Sequence, residues 1–187
     1  MGSKRWVTIP FFVLAVVTLA AQMPAPNPPQ SNPGGEMPPM SMDRHGPSVP
    51  ADLLTSTFAG KSAQWTPASL AALPHKTLTV FNTHAKVNQT YSGVLLADLL
   101  ASLGVPQKPH GKEFLLYLVA QGADGYQVVF SVGEVTPDVH DATVMVADTL
   151  DGKSLGANGS FQLVASGETR PARWVRNLVA IRVETAQ

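Results

Sequence analysis

The stretch YSGVLLADLLASLGV, Tyr91 to Val105, places Val94, Leu95, Leu99, Leu100 and Leu103 at helical spacing, which predicts an amphipathic helix over Gly93 to Leu103. Gly104 follows the last apolar residue, where a left-handed C-terminal cap is needed. Working outward, the flanking segments are short, β-branched and bounded by turn residues. Lys76 to Thr83 reads as a strand on the N-terminal side. Beyond the helix, Phe114 to Val119 reads as a central strand that Ala123-Asp124-Gly125 turns back into Tyr126 to Phe130. Thr143 to Ala147, Phe161 to Ala165 and Leu178 to Val183 supply further strands, with Asp151-Gly152 as a tight turn. Toward the start, Leu53 to Phe58 is a first strand. Thr66-Pro67 opens a short helix that ends at Leu73-Pro74. The outcome is a mostly β domain with a few short helices, and no internal repeat is visible.

The domain begins near Ala51 and runs to the end of the 187-residue chain. Residues 22–50 are crowded with Pro, Asn, Gly and Met and hold almost no branched aliphatics, the composition of a tether that builds no core. Residues 1–21 have a basic start at Lys4 and Arg5, an apolar run from Trp6 to Leu19 and a small-residue exit at Ala20 and Ala21, the three parts of a secretory signal. The run is shorter than the roughly 20 residues that span a bilayer, and Pro10 interrupts it. The expected location is therefore periplasmic or secreted, with membrane contact only through a transient signal peptide.

No cysteine is present, which excludes a disulfide framework and an acylated lipoprotein cysteine. Basic and acidic residues number 13 each, and without Lys4 and Arg5 the balance is 11 against 13. Such a near-neutral chain lacks the basic excess of a nucleic-acid binder.

Several strings, in this order, resemble the oxidoreductase molybdopterin-binding family, the central domain fold of sulfite oxidases and of many small exported bacterial relatives. They are YSGVLLADLLASLGV at Tyr91 to Val105, GADGYQVVFSVGEV at Gly122 to Val135, VMVADTLDGKSL at Val144 to Leu155 and FQLVASGETRPARWVRNLVAIRV at Phe161 to Val183. The ordering is more specific than any one string and covers most of Leu53 to Val183. The resemblance implies an α+β fold with mixed β-sheets, a few short helices and a β-grasp-like element. It also implies where chemistry sits. Catalytic members hold molybdenum through a cysteine thiolate just before the GV-x-L-x-x-LL helix. Here that stretch is VFNTHAKV, Val80 to Val87, without cysteine. Neither Asn82 nor His84 replaces a soft thiolate without changing the metal's electronics. This points away from sulfite-oxidase-type chemistry and leaves enzyme status open.

In GETRPARWVRN, the resemblance implies that an Arg four residues before the Trp and a basic residue directly before it face an anionic cofactor or substrate. Arg170 and Arg173 occupy those places, and guanidinium forks suit oxyanions. The bland alternative pairs these arginines with Glu168 or Asp residues on a solvated rim, with Arg176 another rim cation and Trp174 filling the core. Asp124, Gly125 and Tyr126 form a turn from which Tyr126 either presents its hydroxyl to a ligand or packs as a buried aromatic. His84 stands where the family's metal ligand falls, without a second ligand at metal spacing nearby. His75, His110 and His140 flank turns and read as exposed polar residues. In the arm, Met37, Met40, Met42 and His45 offer soft thioether and imidazole ligands suited to copper(I).

Three functions remain. The first is a non-catalytic binding module for a small anionic molecule or an envelope protein partner. The second is a molybdopterin-dependent oxidoreductase or an accessory to one. The third is an envelope copper handler acting through the Met-rich arm.

Overall fold

The computed structural model describes residues 49–187. The expected signal, the arm and its Met37, Met40, Met42 and His45 lie outside the described residues. The first sheet has the order β2-β1-β10-β5-β6, built from Leu54–Phe58 (β1), Lys61–Trp65 (β2), Leu116–Gly122 (β5), Gln127–Ser131 (β6) and Leu178–Thr185 (β10). β1 and β10 run parallel and every other neighbour is antiparallel, so the parallel pair carries β2 on one side and the β5–β6 hairpin on the other. This is the β-grasp-like element of an α+β fold. The second sheet joins Lys76–Asn82 (β3), Val87–Leu95 (β4), Val144–Leu150 (β7) and Lys153–Ser154 (β8), with Gln162–Ala165 (β9) also on β7.

Three short helices complete the domain: Pro67–Ala71 (α1), Leu96–Ala101 (α2) and Val132–Val135 (α3). Thr66 caps α1 and exchanges hydrogen bonds with Ser69, as its Thr-Pro start predicts. The helix expected from Gly93 starts only at Leu96, because Gly93 to Leu95 are consumed by pairing β4 to β7. Gly104 does close it, at φ +91°. Likewise Phe114 and Leu115 lie in a 3₁₀ turn and are exposed, and the central strand begins at Leu116. Strand β2 and helix α3 were not anticipated. β2 is mostly exposed and polar, so periodicity is silent, but the Ser131-x-x-Glu134 capping box of α3 is a readable start signal.

The main core fills from both sheets and α2: Leu54, Leu118, Phe130 and Ile181 meet Leu96, Leu99, Leu100, Val146 and Leu163. A smaller cluster of Tyr91, Met145, Ala147, Leu155 and Val164 packs with partly buried Leu78, Val80, Leu150 and Trp174.

His75 is not the exposed turn residue expected. Its Nε2 lies 2.9 Å from Asp148 Oδ2 and its Nδ1 2.7 Å from the Leu73 carbonyl, so both ring nitrogens face acceptors. The Asp148 hydrogen bond, against opposing burial, raises the His75 pKa above the ordinary 6.5. A histidine whose folded pKa exceeds its unfolded one adds stability that is full below the unfolded value and fades as pH rises through the folded one. Urea unfolding of wild type and His75→Gln should therefore show a stability gap at about pH 5.5 that shrinks by about pH 8.5. An equal gap at both pH values contradicts the ion-pair assignment.

Candidate functional site

One cleft, of about 860 Å³, is bounded by four separate pieces of the second half of the fold and the β3–β4 hairpin. Asn82 to Ala85 come from the hairpin tip, Asp124 and Tyr126 from the β5–β6 turn, Asn158 from the loop before β9, and Arg170 to Ala172, Trp174 and Arg176 from the loop between β9 and β10. Gln89 and Tyr91 of β4 and Gln162 of β9 supply the buried side.

Local chemistry shapes each wall. The hairpin tip is held by Asn82, whose Oδ1 accepts the backbone N–H of His84 at 2.9 Å and of Ala85 at 3.1 Å while Nδ2 donates to Gln89 Oε1 at 2.7 Å. Lys86 then takes φ +56° and returns the chain to β4. The Tyr91 hydroxyl donates to the same Gln89 oxygen at 3.1 Å. Burial pushes the Tyr91 phenol pKa up, a tendency moderated by its hydrogen bond with Gln162 and the charge of Arg176. Trp174 stands edge-on to Tyr91, centroids 5.5 Å apart at 81°, and its indole N–H donates to the Ala165 carbonyl at 2.8 Å. At the β5–β6 turn, Asp124 Oδ1 accepts the Tyr126 N–H at 2.9 Å, and Gly125 takes φ +84° as the DG signal predicts. Tyr126 is 42% exposed, not a buried aromatic, and its hydroxyl donates to the Ala172 carbonyl, tying this turn to the β9–β10 loop.

Of the residues singled out from sequence, His84, Asp124, Tyr126, Arg170 and Trp174 all line the cleft. Trp174 is both packing and wall. Arg173, expected from the resemblance to face an anionic ligand, does not line this cleft and instead borders a separate hollow with Phe130, Glu134 and Glu168. Its guanidinium turns the other way, to Glu134 Oε1 at 2.9 Å and to Glu168 Oε1, with Cζ 4.2 Å from the centroid of Phe130. Burial works against the Arg173 charge, but these two carboxylates outweigh it and hold its pKa above the ordinary value. Arg173 thus follows the ion-paired alternative, anchoring the loop to α3. Arg170 and Arg176 are exposed, and neither guanidinium makes a hydrogen bond or ion pair among the described residues.

Sequence reasoning weighed Asn82 only as a metal ligand and missed Gln89, Asn158 and Gln162. Gln162 alone carried a signal, a polar residue inside the apolar run Phe161-Gln-Leu-Val-Ala165; buried polar groups are informative because burial costs them their water.

The donor set bears on the group the resemblance implies. The hairpin tip offers an amide already engaged at both ends, a threonine, His84 and an alanine, and the chain has no thiolate. Among the described residues no three His, Cys, Asp or Glu side chains converge as metal ligands. The residues present do not fit a thiolate-held molybdenum.

No family model matches this sequence, and no curated protein does. Among solved structures, the chain is similar to the sulfane dehydrogenase SoxCD from Paracoccus pantotrophus, with a TM-score of 0.57 and 23% identity over 74% of this chain. The match spans 40% of that chain, so this protein corresponds to less than half of the dehydrogenase chain. The likeness shows the fold: this is an α+β domain of the sulfite-oxidase-like type.

Proposed function

We propose that the protein is an exported, non-catalytic binding module that uses this fold to hold a small anion in the cleft beside Trp174. The observation that carries the reading is the contrast among three arginines of one loop. Arg173 is neutralised by two carboxylates, whereas Arg170 and Arg176 line the cleft without an acidic partner among the described residues. An anion placed between them gains charge-assisted hydrogen bonds, stronger than neutral ones, and Trp174 offers an apolar face for its body. His84, Asp124 and Tyr126 line the same space and shape what enters. Periplasmic or secreted location follows in this reading from the basic, apolar and small-residue order of residues 1–21.

Calorimetric titration with benzoate tests it. Arg170→Ala and Arg176→Ala should each weaken binding about tenfold, and salt at about 0.5 M should weaken the wild type further. Unchanged affinity in the double variant would falsify the anion site.

A second reading, a redox enzyme or an accessory to one, is supported by the dehydrogenase fold neighbour. Export in a host supplied with molybdate, followed by elemental and pterin analysis, separates it: stoichiometric molybdenum favours the enzyme. Copper(I) titration of chains with and without residues 23–45 separates the copper reading.

A further inference from the structure

The cleft combines two recognition elements that no single simple anion satisfies. At its exposed side stand Arg170 and Arg176. At its buried side stand Tyr91 and Gln162, each 2% exposed. Gln162 lies beside Tyr91 and opposes the upward push on its phenol pKa, yet its Oε1 is buried without a hydrogen-bond partner among the described residues. A buried acceptor left unmade is costly, and native folds keep few of them without a reason. Asp148 Oδ1 is the other such atom among the described side chains, and its carboxylate is already engaged by His75.

We propose that the ligand is an anion that carries its own N–H or O–H donor on a flat apolar body, with the anionic end on Arg170 and Arg176, the body against Trp174 and the donor on Gln162 Oε1. This rests on the reading of the cleft as an anion site. A free cation also answers a carbonyl oxygen, but two arginines on the same cleft repel it. Oε1 is buried at the cleft wall, and the last torsion of glutamine is broad and twofold, so a turn of the amide that exchanges it with Nε2 presents the oxygen to the ligand's donor. The demand for a donor then disfavours, by about tenfold, bare carboxylates, sulfate-like anions and aromatic acids such as benzoate that lack a hydroxyl or amino group. Gln162 is the specificity-determining residue, because an analogue that lacks the donor leaves the acceptor unpaired and loses the discrimination that a hydrogen-bonding site provides.

Para-hydroxybenzoate and para-fluorobenzoate form a matched probe pair, similar in size and charge and differing in the donor. Wild-type protein should bind the hydroxy compound about tenfold more tightly, the effect of one buried hydrogen bond. Gln162→Met, which keeps the volume, should bring the two affinities within about twofold. Arg170→Ala should weaken both and keep their ratio. The Gln162 side-chain amide resonances, followed in wild-type protein by nuclear magnetic resonance, should shift with the hydroxy probe and stay with the fluoro one. Equal wild-type affinities that still depend on Arg170 overturn the donor assignment and leave the anion site standing. A preference that survives Gln162→Met overturns it too. Binding of neither probe, or binding indifferent to Arg170, defeats both.

Discussion

Gly93→Ala is expected to destabilise the domain by about 4 kcal/mol, at or beyond the top of the range for overpacking. Gly93 lies where β4 shifts register against β7, and the two backbones approach so closely there that a methyl group has no room. A Cβ at this position meets the Val146 carbonyl oxygen and lies 2.5 Å from Ala147 Cα and 2.8 Å from Val146 C. These are backbone atoms of a central strand, so no rotamer change relieves the clash and the sheet itself has to part. Gly111 is the comparison: it has φ +54°, and a methyl group there would meet nothing within 4 Å, so Gly111→Ala should cost only the left-handed strain, about 1 kcal/mol. Denaturant unfolding of both variants checks the pair. A Gly93→Ala protein as stable as Gly111→Ala contradicts the assigned strand register.

Phe130→Ala should cost about 4 kcal/mol, the usual loss for a buried phenylalanine. Phe130 is 1% exposed and pairs across from Leu118, in the middle of the main core. Its ring also carries the Arg173 guanidinium, whose carboxylate partners lie on α3 and on the cleft loop itself. The variant should therefore weaken benzoate binding as well, although Phe130 does not line the anion cleft. Phe130→Leu separates the two effects: it restores most of the core volume but not the cation–π contact, worth about 1 kcal/mol at a partly exposed site. Benzoate affinity unchanged in a folded Phe130→Ala protein argues against coupling between the Arg173 anchor and the cleft.

The strands were legible where both signals agreed, a β-branched run and a turn residue with a demanded backbone conformation. Gly125 and the Asp151-Gly152 pair take the positive φ that their turns need, and the β5–β6 and β7–β8 hairpins follow from them. The helix start at Gly93 was misplaced because Val94 and Leu95 suit either period, and pairing with Met145 and Val146 decides for strand. In the site, sequence brought the right loop forward but not the direction of its side chains. Arg170 and Arg173 are three residues apart, and the 3₁₀ turn Pro171–Arg173 between them sends one to the cleft and the other to Glu134, a carboxylate 39 positions away in sequence. The convergence of Asn82, Gln89 and Gln162 was invisible for a related reason. They come together only through pairing of β3 with β4 and through β9 joining β7, contacts that no local pattern encodes.

Trp174 gives the molecule a built-in optical reporter. Among the described residues there are two indoles. Trp65 is tied to Ser56 Oγ at 3.0 Å within the first sheet, and Trp174 stands in the cleft with its N–H fixed to Ala165. A chain starting at Gln22 omits Trp6, so its emission divides between a structural fluorophore and one at the ligand site. A Trp65→Phe form isolates the second. Occupancy of the cleft becomes readable from unlabelled protein, and the same signal follows the unfolding of every variant described above.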